Sequence, residues 1–174
     1  MTVLPPLLSA IDLPAAELAA MRLDGELFTL EGAYSPVDLP IDPAARARSL
    51  APLCGGRLIV ELTSAAWVWG AVPAPPLRHQ LCSSLGARAR PVEPALVVVR
   101  EVVIGEEEWA PLGGVRVTTP IRTVMDLARA GAAEDVVRAV LAQTDVSVGD
   151  SMAIIAGRKG LPNKRRALAL LGGL

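Results

Sequence analysis

Residues 113–131, GGVRVTTPIRTVMDLARAG, predict a junction between a strand and a helix. A short β-type run at 115–117 leads into two threonines, of which Thr119 is the expected N-cap because its hydroxyl can accept a hydrogen bond from an early helix amide. Pro120 then takes the first helical position, where the missing N–H costs nothing. Apolar residues recur 3, 4 and 7 positions after Ile121, so we expect the helix to bury one face.

Three polar residues follow the other flank of this predicted helix. Arg122 and Asp126 are four residues apart and Asp126 and Arg129 are three apart, so all three can pair along one side. On an exposed flank such pairs contribute only about 0.3–0.5 kcal/mol each. We therefore expect structural rather than catalytic roles and, if the flank is exposed, little loss of stability from Asp126→Asn. A loss of several kcal/mol would instead identify a buried anchor.

The charge of the chain is unevenly distributed. The 174 residues suit one medium domain or two small ones, and their formal net charge is −1. Residues 1–45 hold seven acids and one base (−6), whereas the remainder holds 16 bases and 11 acids (+5). A nucleic-acid contact would therefore lie more naturally in the second part. Aromatic residues make up only 3%, too few for a platform that stacks single-stranded bases.

The chain lacks the sequence signatures of common active sites. It has no phosphate-binding glycine loop and no nucleophile elbow, and its single histidine, His79, has no evident nucleophile and acid partners. Cys54 and Cys82 lack metal-type spacing, so we expect two buried thiols in a reducing compartment. We expect no enzyme, no cofactor and no metal. Without a basic leader or a long apolar run, the expected location is the cytoplasm, with no membrane contact.

The pattern of elements predicts an α+β fold. A helix at 13–24 and a hairpin with its turn at Glu31 and Gly32 indicate a small winged-helix-like unit over 1–42, although a generic helix–hairpin unit would have the same pattern. A mixed α/β domain is expected over 43–174, with a candidate linker at 72–76. Its expected elements are a helix at 43–53, a strand at 57–62, a helix at 63–71 capped by Thr63 or Ser64, strands at 77–82 and 95–104, a turn region at 105–114 and helices at 119–130, 133–143, 149–157 and 162–171.

Four features of this second part carry further expectations. The valine-rich run at 95–104 is typical of a strand buried on both faces. The consecutive acids at 106–108 are expected to be a solvated charge run. Trp67 and Trp69 are two residues apart and cannot share a helix face, so we expect one in the core and one half exposed.

The fourth feature is the basic run between the last two helices. Five bases occur here without an acid: Arg158, Lys159, Lys164, Arg165 and Arg166. A solvated helix face is the more frequent explanation of such a run, and contact with phosphate is the more specific functional explanation.

Three segments, taken in order, resemble actinobacterial relatives of the type IV toxin–antitoxin AbiEi (abortive infection) antitoxin family. GELFTLEGAYSP (25–36) resembles the family's hairpin, SAAWVWG (64–70) its central motif with Ser64 and Trp67, and VTTPIRTVMDLAR (117–129) its closing motif with Thr119, Pro120, Arg122 and Asp126. The resemblance implies an antitoxin that opposes a nucleotidyltransferase-type toxin and represses its own promoter through a winged helix.

Two departures from the family pattern limit what the resemblance implies. Only one helix precedes the hairpin, and the charge of −6 over residues 1–45 would repel phosphate, so we expect no DNA binding there. The very-short-patch-repair-like endonuclease domain of longer relatives is not expected in this chain. The expectation is a non-enzymatic antitoxin-like or regulator-like protein that binds a cognate nucleotidyltransferase-type toxin, or double-stranded DNA through the basic C-terminal segment.

Two alternatives stay open. One is a degenerate orphan of the family that kept only a structural or interaction role. The other is a nuclease-related enzyme remnant, in which Arg122, Asp126 and the glutamates at 106–108 would be the candidate residues.

Overall fold

The structure, a computed structural model, describes residues 5–87 and 92–174. Within these ranges the chain forms eight α-helices and seven β-strands in two sheets, which confirms the α+β class. Residues 1–4 of the predicted N-terminal unit and residues 88–91 of the predicted second domain lie outside the described residues.

A helix and a hairpin form the N-terminal unit, as predicted. Helix α1 spans Ala15–Leu23, and strands β1 (Leu27–Leu30) and β2 (Ala33–Pro36) pair antiparallel. Glu31 and Gly32 form the turn with φ of 47° and 83°, a left-handed pair that matches the twist of a two-residue hairpin. Leu8, Leu18 and Leu27 make a small core between the helix and the hairpin.

The larger sheet has five strands in the order β5-β4-β3-β7-β6. Strand β3 lies at its centre, antiparallel to β4 and parallel to β7, while β5 is parallel to β4 and β6 is antiparallel to β7. The elements up to its last strand are α2 (Pro43–Ser49), α3 (Ala51–Cys54), β3 (Ile59–Val60), α4 (Leu62–Val68), β4 (His79–Ser84), β5 (Val97–Val102), β6 (Trp109–Leu112) and β7 (Val115–Thr118).

Two of the predicted elements before the candidate linker have different bounds. The expected helix at 43–53 is divided after Ser49, because Pro52 has no N–H to continue the helical hydrogen bonds. The strand predicted at 57–62 covers only Ile59–Val60, and α4 begins already at Leu62. Neither Thr63 nor Ser64 caps α4, and Glu61 stands at the N-cap position without a side-chain capping bond. Residues 72–76 connect α4 to β4.

Strand β5 differs from its prediction in burial. It forms one edge of the sheet and hydrogen-bonds only to β4 among the described strands, so its side chains are not buried on both faces. Val97 is buried, whereas Val98 is 47% exposed. A valine-rich run specifies a strand but does not distinguish a central strand from an edge one.

Four helices complete the chain close to their predicted positions. They are α5 (Pro120–Ala130), α6 (Glu134–Thr144), α7 (Val148–Gly157) and α8 (Lys164–Gly172). Their apolar faces form one cluster around Met125, Leu127 and Ile155. A second cluster lies between the larger sheet and helices α2 to α4, and it includes buried Trp67, while Trp69 is half-buried as expected. None of the described helices combines the length and apolar character needed to cross a membrane.

Candidate functional site

The start of helix α5 fixes the orientation of the candidate site. Thr119 is the N-cap, as predicted, and its hydroxyl accepts a hydrogen bond from the amide of Arg122 at 3.4 Å. Pro120 is the first helical residue. The hydroxyls of Thr118 and Thr123 hydrogen-bond at 2.8 Å and tie the end of β7 to the first turn of α5. These contacts set the rotation of α5 about its axis and hence the direction of its polar flank.

That polar flank is buried, which decides between the exposed flank and the buried anchor that the sequence left open. Arg122 is 3% exposed and Asp126 2% exposed. The carboxylate of Asp126 accepts hydrogen bonds from Arg122 Nε and Arg129 Nη1, each at 2.8 Å, and it lies 3.6 Å from Arg100 Nη2. Three guanidinium groups therefore converge on one carboxylate, which makes Asp126 a buried anchor.

A second carboxylate extends the network. Glu108 lies 2.7 Å from Arg122 Nη1 and also accepts a hydrogen bond from Arg158. The expectation of a solvated charge run at 106–108 is thus wrong for Glu108, which is buried, and fits only Glu106 and Glu107, which are exposed. Burial alone would raise the pKa of Glu108, but the Gly105 amide and the two arginines outweigh it and hold that pKa below its ordinary value.

The third carboxylate of the network is Glu61, which follows strand β3. Arg100 on β5 donates to it from Nε at 2.5 Å and from Nη2 at 2.7 Å, in the bidentate geometry that gives the strongest ion pairs. Sequence reasoning missed this pair. Its signal was Arg100 itself, a charge after three valines in a predicted strand, because a charge brought toward the interior needs a partner.

The four arginines of this network and Glu108 line one wall of a cleft of about 780 Å³, and Asp126 and Glu61 lie behind that wall. The ends of β5 and α7, the loop before β6 and the α7–α8 loop surround it. The carbonyl oxygen of Val103 accepts from both terminal nitrogens of Arg122, and the carbonyl of Pro162 accepts from Arg129 Nε. The cations that line the cleft are Arg100, Arg122, Arg129, Arg158 and Lys159.

In the basic run at 158–166, some side chains have partners within the chain and others are exposed to solvent. Arg158 is paired with Glu108, and the ammonium of Lys164 donates to the carbonyls of Ala156 and Arg158, which satisfies the C-terminal end of α7. Lys159, Arg165 and Arg166 are exposed and form no ion pair within residues 5–87 and 92–174.

His79 has two partners that were not evident from the sequence. Its Nε2 lies 2.7 Å from the carboxylate of Glu31 in the hairpin turn, and its Nδ1 lies 3.2 Å from the hydroxyl of Ser64. Ser64 is fully buried and its oxygen also accepts from the amide of Gln80, so no substrate can reach it. The arrangement attaches the hairpin to α4 and β4, which agrees with a structural role for His79.

The carboxylates of the site face cations rather than one another. Nowhere in the described ranges do three His, Cys, Asp or Glu side chains meet in a way that could hold a metal ion. The carboxylate of Asp126 contacts guanidinium groups instead. The geometry is that of a polar cleft with fixed arginines on its wall, which suits the binding of anionic oxygen atoms.

Comparison with known proteins shows the class of fold. No family model matches the chain, and no curated protein matches it. Among solved structures, the RV2827C protein from Mycobacterium tuberculosis has a similar fold, with a TM-score of 0.51 and 20% sequence identity over 97% of this chain and 72% of that one. The likeness extends through both the helix–hairpin unit and the larger α/β part. At this level of identity it concerns the fold alone.

Proposed function

We propose that this chain is a non-enzymatic, cytoplasmic protein of the antitoxin kind, related to the AbiEi family, and that it binds a cognate nucleotidyltransferase-type toxin. The observation that carries the proposal is a group of exposed cations, Lys159 in the connection between α7 and α8 and Arg165 and Arg166 in the first turn of α8. We name this group the basic turn. The ordered motifs at 25–36, 64–70 and 117–129 supply the link to antitoxins.

The balance of charge favours a protein partner over DNA. Three cations that neutralise three phosphates would give a salt dependence of only about −2.7 in log K against log salt, far below that of strong DNA binders. The helix–hairpin unit adds repulsion, since residues 1–45 carry −6. A protein surface with a few carboxylates needs no such extended field, and paired charges at an interface set its orientation and specificity.

The structure selects the residues for the test. Lys164 satisfies the end of α7, so its replacement would disturb folding as well as binding. The informative variant is therefore Lys159→Ala, Arg165→Ala and Arg166→Ala combined. A control with the same change of charge is Arg22→Ala, Arg48→Ala and Arg57→Ala combined, because these three arginines are also exposed and lie outside the basic turn.

The experiment asks whether the chain protects cells from the product of an adjacent nucleotidyltransferase-like reading frame and co-purifies with it. We expect protection and co-purification with the wild type and the control, and loss of both with the basic-turn variant. Equal behaviour of the two variants would contradict a role for the basic turn. A gel-shift series at low salt is the second arm, and DNA retention that the basic-turn variant weakens for all sequences would favour a DNA-binding regulator instead.

A further inference from the structure

The arginines on the wall of the cleft have hydrogen-bond donors left over. Arg100 uses Nε and Nη2 for Glu61, Arg129 uses Nε and Nη1 for Pro162 and Asp126, and Arg158 uses Nη2 for Glu108. No described residue accepts from Nη1 of Arg100, Nη2 of Arg129, or Nη1 and Nε of Arg158.

These remaining donors are open to solvent. In the described part of the chain, no buried side-chain nitrogen or oxygen lacks a hydrogen-bond partner. A nitrogen of these half-buried arginines that has no partner is consequently accessible to water. Because all three residues line the cleft, their outward N–H groups are available to a ligand in it.

The guanidinium groups are also held in place before any ligand arrives. Arg100 and Arg129 both lie within 4 Å of Asp126, and Arg158 shares Glu108 with Arg122. A buried carboxylate holds one edge of each guanidinium group, and the opposite edge, with its free N–H groups, faces the cleft. Pre-organised donors lose little conformational entropy when they bind an anion, and planar guanidinium groups suit the oxygen atoms of phosphate in particular.

The net charge of the cleft favours a small ligand over a polyanion. Five cations line it, and five carboxylates lie on its wall or behind it, Glu61, Glu101, Glu107, Glu108 and Asp126. Because these ten charges sum to zero, the cleft has no long-range electrostatic field that would attract a polyanion. Recognition must therefore come from directed hydrogen bonds at short range.

We propose that this cleft binds the phosphate group of a small molecule, with Arg100, Arg129 and Arg158 donating to its oxygens and Lys159 supplying an additional charge. The donors come from three directions, β5, α5 and the α7–α8 loop. A tetrahedral phosphate has acceptor oxygens on several sides and can meet all of them, whereas a carboxylate has its two oxygens on one edge. A cleft of about 780 Å³ has the size of small-molecule sites in general. The site shares Lys159 with the basic turn, but its three arginines lie outside that group, and phosphate binding does not depend on the toxin.

The test uses the full chain and inorganic phosphate as the probe, at constant ionic strength with chloride as the balancing anion. Binding is followed by the NMR signals of the arginine Nε–H groups. We expect saturable shifts for Arg100, Arg129 and Arg158 and no saturation with acetate. Lys159→Ala should weaken phosphate binding about tenfold, while Arg165→Ala, which removes the same charge outside the cleft, should leave it unchanged.

A second variant separates binding from folding. Arg158→Lys keeps the charge that pairs with Glu108 but loses the free guanidinium N–H groups that face the cleft. It should therefore weaken phosphate binding, while the unfolding temperature stays close to that of the wild type. Shifts that never saturate, or an equal effect of Lys159→Ala and Arg165→Ala, would overturn the proposal. Equal affinity for acetate would overturn the assignment to phosphate. Toxin binding is measured separately by the protection assay, and Arg158→Lys, which leaves the basic turn intact, distinguishes failure of one proposal from failure of the other.

Discussion

Asp126 Oδ2 lies 2.8 Å from Arg122 Nε, one helical turn away, and both side chains are buried. The usual exposed pair at this spacing contributes little, because water screens it and both side chains lose entropy. Here Asp126 also contacts Arg129 and lies near Arg100, so its charge is compensated from three directions. Removing the charge would leave buried Arg122 with Glu108 as its one remaining carboxylate among the described residues, and Arg129 with none.

Asp126→Asn is therefore expected to lower the free energy of unfolding by about 3–5 kcal/mol, as for other buried pairs that lose one member. The matched control is Glu134→Gln, which breaks the exposed Glu134–Arg138 pair at the same spacing on α6. It should cost no more than about 0.5 kcal/mol. Urea denaturation followed by far-UV circular dichroism measures both. Similar small losses in the two variants would contradict the role of Asp126 as an anchor.

The two glycines of the β6–β7 turn differ in how much space surrounds them. Gly113 and Gly114 have φ of 57° and 86°, so alanine is strained at either position. A Cβ at 113 would in addition collide with the carbonyl oxygen of Ala44 and lie 2.8 Å from the amide nitrogen of Arg48, whereas one at 114 would meet nothing within 4 Å. The turn thus packs directly against the backbone of α2.

We expect Gly114→Ala to cost about 1 kcal/mol of stability, for the backbone conformation alone. Gly113→Ala should cost about 2–4 kcal/mol, because a backbone atom must also move away from α2. Thermal unfolding of the two variants side by side gives the difference. If Gly114→Ala were the more damaging substitution, the close approach to α2 would be refuted.

Ionised Glu108 should make the stability of the protein depend on pH in the acid range. Its pKa is lower in the folded chain than its ordinary value of 4.5, so the folded state favours the charged form. The stabilisation is complete above 4.5 and is lost as the pH falls through the lower folded pKa. Glu108→Gln removes the group that titrates.

The difference in unfolding free energy between wild type and Glu108→Gln should accordingly be largest near neutral pH and shrink in acid. Denaturation at a series of pH values, down to the lowest at which both proteins stay folded, measures it. Glu106→Gln is the control, because Glu106 is exposed in the same short turn, and it should show no comparable trend. A difference for Glu108→Gln that is constant with pH would contradict the pairing.

Local sequence patterns were sufficient for most of the elements and for some of their ends, but the turn region expected at 105–114 contains strand β6. The Thr119-Pro120 pair marked the start of α5 because capping and the proline ring act within a few residues, and the Glu31-Gly32 pair marked the hairpin for the same reason. The mixed α+β class followed from such signals. The helix bounds at 43–53 were wrong where Pro52 interrupts the hydrogen bonds.

The candidate site could not be predicted in the same way. Periodicity shows which side of α5 is polar but not what covers that side. The covering groups are Arg100 and Glu108, which lie 26 and 18 positions before Asp126, and Glu61, which lies further still. Only the pairing of β5 with β4, and of β4 with β3, brings Arg100 over Glu61 and next to α5. Burial of the polar flank is a tertiary property.

Both cysteines report on opening of the fold. Cys54 and Cys82 are buried and free, and burial raises the pKa of the Cys54 thiol to about 12. Burial, and then the negative charge of Glu61, raise the pKa of Cys82 well above its ordinary range. The thiolate is the reactive form, so neither cysteine should react with a disulfide reagent such as dithionitrobenzoate while the chain is folded.

Single-cysteine variants, Cys54→Ala and Cys82→Ala, allow each remaining thiol to be followed alone. We expect slow labelling of both in the otherwise wild-type protein, at rates set by opening of the structure. Adding Asp126→Asn should accelerate labelling of Cys82 more than that of Cys54, because Cys82 pairs with Arg100 across the sheet and lies beside the ion network, whereas Cys54 ends α3. Equal acceleration would mean that the network stabilises the whole fold and does not open on its own. Rapid labelling of either thiol in the wild-type background would contradict its burial.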